Sequence, residues 1–286
     1  MATKPVRRKS PIRRKPTRKK SGTRTYVPWV VGMFVVLFIA IATYHYRDAL
    51  AYYFSFRSRH ALKEAESSKV EEARIFQVLK RHHPKVVGFD VSEYQGTIQW
   101  EEVKKVEDTF ALAYVFIRAT AGKNRVDRQF ETNWKQAKAN GFIRGAYHYY
   151  RPNENSIQQA ERFIKTVTLE KGDFPPVLDI ENLPKTQSID SLKVGLKRWL
   201  TKVEAHYKVK PIIYSGERYY NDFLKDDFKE YPFWIANYNF FVEHIKDEWL
   251  FWQFTEKGTV PGIAGPVDLN VYNGTPKMLS YLVGGK

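Results

Sequence analysis

The feature that most constrains the fold is an alternation, from Val86 onward, of short apolar runs with longer polar stretches. Eight of the apolar runs are predicted to be strands, at residues 86–92, 110–120, 142–150, 175–181, 210–215, 232–238, 249–255 and 267–272. Helix-like patterns lie between the earlier runs, at residues 99–107, 127–140, 155–169 and 188–207. Strands that alternate with helices predict βαβ units around a parallel sheet.

The number of strands indicates whether this sheet is open or closed into a barrel. Eight strands in about 200 residues favour an α/β fold, an irregular TIM-like β/α barrel with a reduced number of outer helices. The reduction follows from the last three strands, which leave little room for helices between them. An open doubly wound sheet is the alternative, but it would normally need more helix after residue 215. The predicted barrel domain covers residues 86–286.

The composition narrows the chemistry that this domain can perform. The chain has no cysteine, which excludes disulfides, thiolate metal sites and cysteine nucleophiles. Its 286 residues are 43% hydrophobic and 15% aromatic, enough to bury a sizeable core. The formal net charge of +16 is concentrated at the N-terminus, where residues 1–25 hold eleven of the 47 Lys and Arg residues and no acid. A nucleic-acid partner is therefore not predicted.

The charge and hydropathy of the N-terminal segment predict a membrane anchor. Residues 27–46 contain no Asp, Glu, Lys or Arg, and twenty helical residues at about 1.5 Å each match a hydrocarbon core of roughly 30 Å. We predict a basic cytoplasmic tail at residues 1–25, a single transmembrane helix at 26–47, and the lipid bilayer as partner of residues 27–46. Because the positive charges precede the span, the N-terminus is predicted to be cytoplasmic and everything after residue 47 to lie across the membrane.

Two other structures could account for this apolar segment. A buried soluble helix fits poorly with the flanking charges and aromatic residues. A cleaved signal peptide is the nearer alternative, but the apolar run exceeds the usual 7–15 residues and no small-residue cleavage site follows it. An uncleaved anchor is therefore the prediction.

Residues 48–85 are predicted to form a charged helical linker that ends at Pro84. A spacer that holds the barrel away from the bilayer is the favoured interpretation, and a dimerising helix is the alternative. His82 and His83 are predicted to be solvated, since adjacent helix positions point in different directions and no acidic or Cys partners flank them.

Four acidic residues mark the ends of the predicted strands. Asp90 closes the first strand, Asp179 and Glu181 the fourth, and Asp268 lies on the eighth. Carboxylates are rarely buried unless they are paired or functional, and the C-terminal ends of barrel strands form the active-site face. Asp179 and Glu181 share one face of a strand with Cα atoms roughly 6.6 Å apart, a spacing that suits two carboxyl groups acting on one glycosidic bond. Salt bridges at strand ends are the alternative role.

The motifs around these acids resemble glycoside hydrolase family 25, the Chalaropsis-type N-acetylmuramidases of the bacterial cell wall. GFDVSEYQGTIQW at 88–100 resembles the opening motif of the family, and residues 114–152 resemble its second block. PPVLDIE at 175–181 is similar to the D-x-E strand. FWIANY, FWQFT and VDLNVYNG are similar to the last three strands. The resemblance covers about residues 86–276, and the motifs appear in the family's order.

The resemblance implies a peptidoglycan hydrolase that cleaves the β-1,4 bond between N-acetylmuramic acid and N-acetylglucosamine with net retention. By motif position, Glu181 would be the general acid, Asp179 and Asp90 its companion carboxylates, and Asp268 a fourth acid of the cleft. Three nearby anions are predicted to raise the pKa of Glu181 and keep its proton near neutral pH. Retention is compatible with direct attack by Asp179 and with attack by the substrate's own N-acetyl group, and the sequence leaves both open.

A second class of function stays open beside the first. A catalytically inactive peptidoglycan-binding or scaffold protein would keep the same barrel, but the presence of all four acids favours the enzyme. For a bacterial cell-wall enzyme, the predicted anchor would lie in the inner (cytoplasmic) membrane, with the catalytic domain in the periplasm or outside the membrane.

Aromatic and amide side chains at the same strand ends are predicted to bind substrate. An aromatic ring offers an apolar face and a polar edge, which suits sugar rings, and amides are suited to sugar hydroxyls or to the acids. The candidates are Tyr94, Gln95, Tyr147, Tyr149, Trp234, Tyr238, Trp252 and Gln253. Nucleotide and metalloprotease motifs are absent, so neither a cofactor nor a metal is predicted.

Overall fold

The computed structural model describes residues 27–47, 65–242 and 244–284. The chain divides into two compact units, residues 1–45 and 46–286. The described part of the first unit is helix α1 (Val27–His45), whose side chains are mostly exposed. Among the described residues, no helix is both long and apolar enough to cross a membrane. The transmembrane helix predicted for residues 26–47 therefore has no support from the structure, and the basic tail at 1–25 lies outside the described residues.

The second unit is built on a closed barrel of eight strands. These are β1 (Val87–Val91), β3 (Phe110–Ala121), β5 (Ile143–Tyr149), β6 (Val177–Asp179), β7 (Ile212–Gly216), β8 (Phe233–Ala236), β9 (Phe251–Gly258) and β10 (Val267–Tyr272). Two-residue strands β2 (Lys105–Val106) and β4 (Arg125–Val126) pair with β3 outside this ring. The order around the barrel is β1-β10-β9-β8-β7-β6-β5-β3, and pairing of β1 with β3 closes it. The eight-stranded barrel predicted from the sequence is confirmed.

Strand direction departs from a regular β/α barrel at one strand. Neighbouring strands are parallel from β1 through β3 and onward to β9. Strand β10 runs antiparallel to both of its neighbours, β1 and β9. Its first residues therefore lie at the mouth of the barrel where the other strands end.

Side chains alternate between the inside of the barrel and the layer outside it. On β3, Tyr114 and Phe116 belong to the inner cluster, whereas Val115 between them belongs to the outer one. Neighbouring strands make room for these inner rings. A Cβ atom on Gly88 would lie 2.3 Å from the Tyr114 ring, and one on Gly145 would lie 2.4 Å from the Phe116 ring. Both positions therefore require glycine.

Short helical turns lie at Glu93–Gln95, Glu217–Tyr219 and Tyr220–Leu224 in the second unit. Its longer helices in the described residues are α2 (Ala65–His82), α3 (Phe130–Ala139), α4 (Ser156–Thr166), α5 (Ile189–Tyr207) and α6 (Pro276–Gly284). Side-chain caps define two of their starts, since Asn155 accepts from the Gln158 amide and Ser188 from the Ser191 amide. Helices α3, α4 and α5 match three of the predicted helical stretches, and the outer layer has fewer helices than a regular barrel.

The helix predicted for residues 99–107 is wrong. Trp100, Val103 and Val106 are buried at a spacing that imitates a helical face. The segment instead forms turns and strand β2, and the Gln99 amide donates to the Gly262 carbonyl at 2.8 Å. A long-range backbone bond thus replaces the local bonds that a helix would make.

Residues 48–64 of the predicted linker lie outside the described residues, and the described part, helix α2, differs from the predicted spacer because it packs against the barrel. Ile75, Val78 and Leu79 are each 1% exposed and belong to the outer hydrophobic cluster of the barrel. The prediction that His82 is solvated is also wrong. Its ring is buried, with its centroid 5.6 Å from that of Trp252, and burial lowers the pKa of His82 to about 4. The apolar positions of α2 are too few and too broken by charges to indicate this packing from sequence.

Candidate active site

A polar cleft of about 260 Å³ opens at the barrel mouth, where the parallel strands end. All four predicted acids line it. Asp90 is the fourth residue of β1, Asp179 is the last residue of β6, and Glu181 follows two positions later. Asp268 lies near the start of β10 and reaches the same mouth because that strand is antiparallel. The tertiary structure thus brings together residues from three strands, as predicted.

Asp90 is held at the base of the cleft by two amide donors. Its Oδ2 atom accepts from Gln253 Nε2 at 2.8 Å and from Asn270 Nδ2 at 2.7 Å. Asn270 is itself oriented by the Trp234 indole, which donates to its Oδ1 atom at 2.8 Å. Burial raises the pKa of Asp90 well above its ordinary value, and the neighbouring Asp268 raises it further. Burial and the neighbouring carboxyl thus both favour the neutral form of Asp90.

Asp268 is the directly opposed cross-strand partner of Asp90. Burial raises the pKa of Asp268 to about 6, and the negative charge of Glu256 adds to the shift, while its hydrogen bond with Asp90 opposes it. The two carboxyl groups titrate together, because a negative charge on one disfavours a negative charge on the other.

This raised pKa predicts a pH dependence of stability that Asp268→Asn should reduce. An unfolded Asp titrates near 3.9, so the folded state binds the extra proton between that value and about 6. The free energy of unfolding contributed by this group therefore falls as pH rises from about 4 to about 6. Relative to Asp268→Asn, the unfolding midpoint of the unmodified protein should fall across this window, measured by thermal unfolding at several pH values. Parallel curves for the two proteins would contradict the assignment.

Asp179 is buried at 5% exposure, and its Oδ1 atom has no hydrogen-bond partner among the described residues. Burial raises its pKa well above the ordinary value, with further contributions from the charges of Glu181 and Asp90, while Arg118 opposes the shift. A buried carboxyl oxygen without a partner is costly unless function retains it. Asp179 therefore carries an oxygen whose hydrogen-bonding capacity no described residue uses.

Glu181 is exposed to the cleft, unlike Asp179. Desolvation by the surrounding cleft walls raises the pKa of its carboxyl, and the nearby Tyr214 hydroxyl opposes the shift. The direction agrees with the sequence-based expectation, but the cause differs from the three anions that were predicted. Glu181 is placed to hold a proton and present it to a molecule in the cleft.

Seven of the eight predicted substrate-binding residues line the cleft, namely Tyr94, Gln95, Tyr147, Tyr149, Trp234, Tyr238 and Gln253. The prediction that Trp252 binds substrate is wrong, because Trp252 does not line the cleft. It is fully buried on the outer side of β9, where its indole donates to the Asn237 carbonyl at 3.0 Å. The alternation of β9 explains this position, because Gln253 points into the barrel and its neighbour must point out.

The seven residues do not offer equal surfaces. Tyr94 is 75% exposed, and its ring lies 4.7 Å from the Arg118 guanidinium carbon. Tyr238 is 41% exposed at the rim, whereas Trp234 is 2% exposed and stacks on Phe116 in the barrel interior. Tyr94 and Tyr238 are therefore the main aromatic surfaces, and Trp234 supports the floor.

Several residues that complete the cleft were not predicted from the sequence. Tyr214 donates to Gln253 Oε1 at 2.7 Å, and Arg118 is a buried cation beside the acids, paired with Asp127 at 2.9 Å. Glu256 and Ser92 also line the cleft. Asn270 could have been predicted from the alternation of side chains along a strand. It lies two positions from Asp268 and therefore shares its face.

A second, more apolar cavity of about 790 Å³ adjoins the cleft. Glu181, Tyr214 and Tyr238 line both spaces. Leu183, Tyr219 and Phe223 form its apolar part. The two cavities together form an extended space across the mouth of the barrel, which suits an elongated ligand better than a small compact one.

A β/α barrel whose mouth holds converging carboxyl groups and exposed tyrosines defines the class of glycoside hydrolases, which act through paired carboxyl groups. The comparison with known proteins specifies the family. The model of the glycosyl hydrolases family 25 matches residues 89–263, and the chain belongs to this family.

Relatives and solved structures agree with this assignment. The chain is 43% identical over 203 residues to the uncharacterized protein YegX of Escherichia coli, covering 69% of this chain and 73% of that protein. It is 33% identical over 209 residues to lysozyme M1 of Streptomyces globisporus, covering 68% and 70%. The bacterial lysozyme from Streptomyces coelicolor superposes with a TM-score of 0.62 at 29% identity, covering 71% of this chain and 98% of that one.

Proposed function

We propose that this protein is a lysozyme, an N-acetylmuramidase that cleaves the β-1,4 bond between N-acetylmuramic acid and N-acetylglucosamine in peptidoglycan. The observation that carries the proposal is the convergence of Asp90, Asp179, Glu181 and Asp268 on one cleft of a family 25 barrel. Relatives named as lysozymes support the same reaction and substrate.

Glu181 is the general acid in this proposal. A general acid must hold a proton at the working pH and reach the leaving oxygen. The raised pKa of Glu181 and its exposure to the cleft support both requirements. As the glycosidic bond breaks, Glu181 gives its proton to the departing sugar and then, as a carboxylate, takes a proton from the incoming water.

Asp179 is the companion that acts at the anomeric carbon. Its unpartnered Oδ1 atom supports a direct role toward substrate. It either attacks the anomeric carbon or orients and stabilises the substrate's N-acetyl group as that group attacks, and both routes retain configuration. Burial raises the pKa of its carboxyl, and the positive charge of Arg118 opposes that rise and so favours the carboxylate form that either route uses.

Asp90 and Asp268 set the charge and geometry beneath the reacting sugar. Gln253 and Asn270 hold Asp90 in place, and the register of β1 with β10 holds Asp268 against it. The negative charge of this pair, once ionised, stabilises an oxocarbenium-like transition state. Tyr94 and Tyr238 offer faces on which neighbouring sugar rings can stack.

The test is to incubate the purified full chain with peptidoglycan and identify the new reducing ends. Muramic acid ends are expected. Glucosamine ends would overturn the bond assignment, and binding without release would favour the scaffold protein that keeps the barrel but lacks turnover.

We also propose that the N-terminal segment holds the enzyme at the outer face of the bacterial cytoplasmic membrane, as a single-pass protein with a cytoplasmic N-terminus. The support is the sequence alone: eleven basic residues in 1–25 precede an apolar run at 27–46. No cofactor or metal enters the proposed reaction.

The topology can be tested with reporters fused after residue 60. A reporter that is active only outside the cytoplasm should be active there, because the positive charges precede the apolar run. Fusion of the same reporter before residue 26 is the matched control and should be inactive. Activity of a cytoplasm-only reporter after residue 60 would contradict the proposed topology.

A further inference from the structure

Helix α2 lies before the segment that matches the family model, yet it contacts the backbone that forms one wall of the cleft. We propose that α2 is a working part of the catalytic unit, and that Arg74 is a positioning residue that holds the cleft-wall segments carrying Tyr238 and Gln253 in their active arrangement. The inference rests on the proposed hydrolase function, and it deepens that function by adding an element outside the family segment.

Arg74 joins two segments that are far apart in sequence. Its Nη1 atom donates to the Phe254 carbonyl at 2.8 Å and its Nη2 atom to the Asn239 carbonyl at 3.1 Å. The residue is only 6% exposed, and Glu71, one turn earlier on α2, lies 3.3 Å from Nη1. The planar guanidinium fork fixes the separation of the two carbonyls more rigidly than a single donor could.

Each of these carbonyls belongs to the residue that follows a cleft residue. Asn239 follows Tyr238, and Phe254 follows Gln253. Tyr238 and Gln253 are hydrogen-bonded to each other, and Gln253 donates to Asp90 at 2.8 Å. The guanidinium, on the outside of the barrel, thus binds the carbonyls that follow Tyr238 and Gln253 in the sequence, and Gln253 is one of the two donors that hold Asp90.

Glu71 provides a second contact on the same wall. Its Oε1 atom accepts from the Thr255 hydroxyl at 2.8 Å. Thr255 immediately precedes Glu256, which lines the cleft on the side of Asp268. Three consecutive residues of β9 therefore make relevant contacts. Gln253 bonds Asp90 inside the barrel, whereas Phe254 and Thr255 bond Arg74 and Glu71 of α2.

This arrangement explains why a charged side chain is buried beneath the barrel wall. Packing of α2 alone requires only its apolar residues, such as Ile75, Val78 and Leu79. A buried guanidinium is costly unless its donors are used, and here two of them meet carbonyls of the cleft wall. Removing the guanidinium leaves those two carbonyls without this donor, and we expect the two segments to become more mobile.

The chain offers a matched control in Arg144. This residue is also buried, at 3% exposure, and it is also paired, with Asp173 at 2.7 Å and the Trp134 carbonyl at 2.9 Å. It is the second residue of β5 and so lies toward the end of the barrel opposite the cleft. Loss of Arg144 should affect stability without affecting the cleft.

The experiment compares Arg74→Ala, Arg74→Lys and Arg144→Ala with the unmodified full chain, each well below its measured unfolding midpoint. On soluble glycan strands, Arg74→Ala should lower kcat by about tenfold or more with a smaller change in KM, since small misplacement of catalytic groups costs rate. Arg74→Lys keeps the charge and one donor and should recover part of kcat. Arg144→Ala should lower the unfolding midpoint and leave kcat within about twofold.

Amide hydrogen exchange gives a second readout that does not depend on turnover. Arg74→Ala should speed exchange at residues 237–242 and 253–257, whereas Arg144→Ala should not. Unchanged kcat in a folded Arg74→Ala, or an equal kcat loss in Arg144→Ala, would overturn the inference. An unmodified chain that releases no reducing ends would instead refute the proposed hydrolase, and unchanged exchange in Arg74→Ala would then refute the positioning role separately.

Discussion

Glu181→Gln is expected to slow peptidoglycan hydrolysis by roughly 10²–10⁴-fold, the range in which a general acid typically contributes. Glutamine keeps the size and hydrogen-bonding capacity of the side chain but has no proton of suitable acidity to give to the leaving oxygen. The side chain of Glu181 is exposed to the cleft and is not part of the core. The variant should therefore fold and bind glycan like the unmodified protein. The measurement is the rate at which new muramic acid reducing ends appear.

The matched control for this change is Glu161→Gln, the same substitution at an exposed position of α4. It should leave the rate unchanged. Turnover like that of the unmodified protein in Glu181→Gln would remove Glu181 from the role of general acid. A variant with a lower unfolding midpoint would be compared at a temperature where both proteins are folded.

Asp179→Asn is expected to cost roughly 10²–10³-fold, the effect seen when a group that stabilises charge in a transition state is lost, and more than Asp268→Asn. Asp179 has an oxygen without a partner among the described residues, whereas Asp268 is paired with Asp90 across two strands. Loss of Asp268 leaves Asp90 with both of its amide donors. If both variants lost the same small fraction of the hydrolysis rate, the two aspartates would have a structural role only.

A ligand experiment separates the two retaining routes through Asp179. If the substrate's acetamide is the nucleophile, a thiazoline mimic should bind the unmodified enzyme well and Asp179→Asn poorly, because the carboxylate stabilises the charged ring nitrogen. If a slow fluorinated substrate instead traps a glycosyl ester on Asp179, direct displacement is the route and substrate assistance is wrong. Asp268→Asn serves as the control in both experiments and should keep the behaviour of the unmodified enzyme.

Much of the barrel could be predicted because its signals are local. Each strand presents a short apolar run, and polar stretches between the runs have helical periodicity, so the alternation indicates both element type and fold. The same local rule identified the acids, since Asp90 or Asp179 inside an apolar run is conspicuous. It failed at residues 99–107, where buried side chains at helical spacing belong to turns that bond to the loop at Gly262.

The orientation of side chains around the mouth needed the tertiary structure. Trp252 and Gln253 are adjacent in one motif, yet only Gln253 enters the cleft, because the register of β9 with its neighbours decides which face is inside. The direction of β10 is likewise set by pairing with β1 and β9, and it determines that Asp268 lies at the mouth. Such pairings join separate segments of the chain, as distant as Asp90 and Asp268 for β1 and β10, and the pattern within one segment does not predict them.

The eight strands, the four acids and the family of this protein can be inferred from its sequence alone, because each depends on a short motif of neighbouring residues. Only the tertiary structure decided that α2 packs against the barrel, that Arg74 contacts the cleft wall, and that desolvation rather than neighbouring charge raises the pKa of Glu181. The physical reason is that burial and carbonyl partners are properties of neighbours in space. Those neighbours are assembled only when the barrel closes.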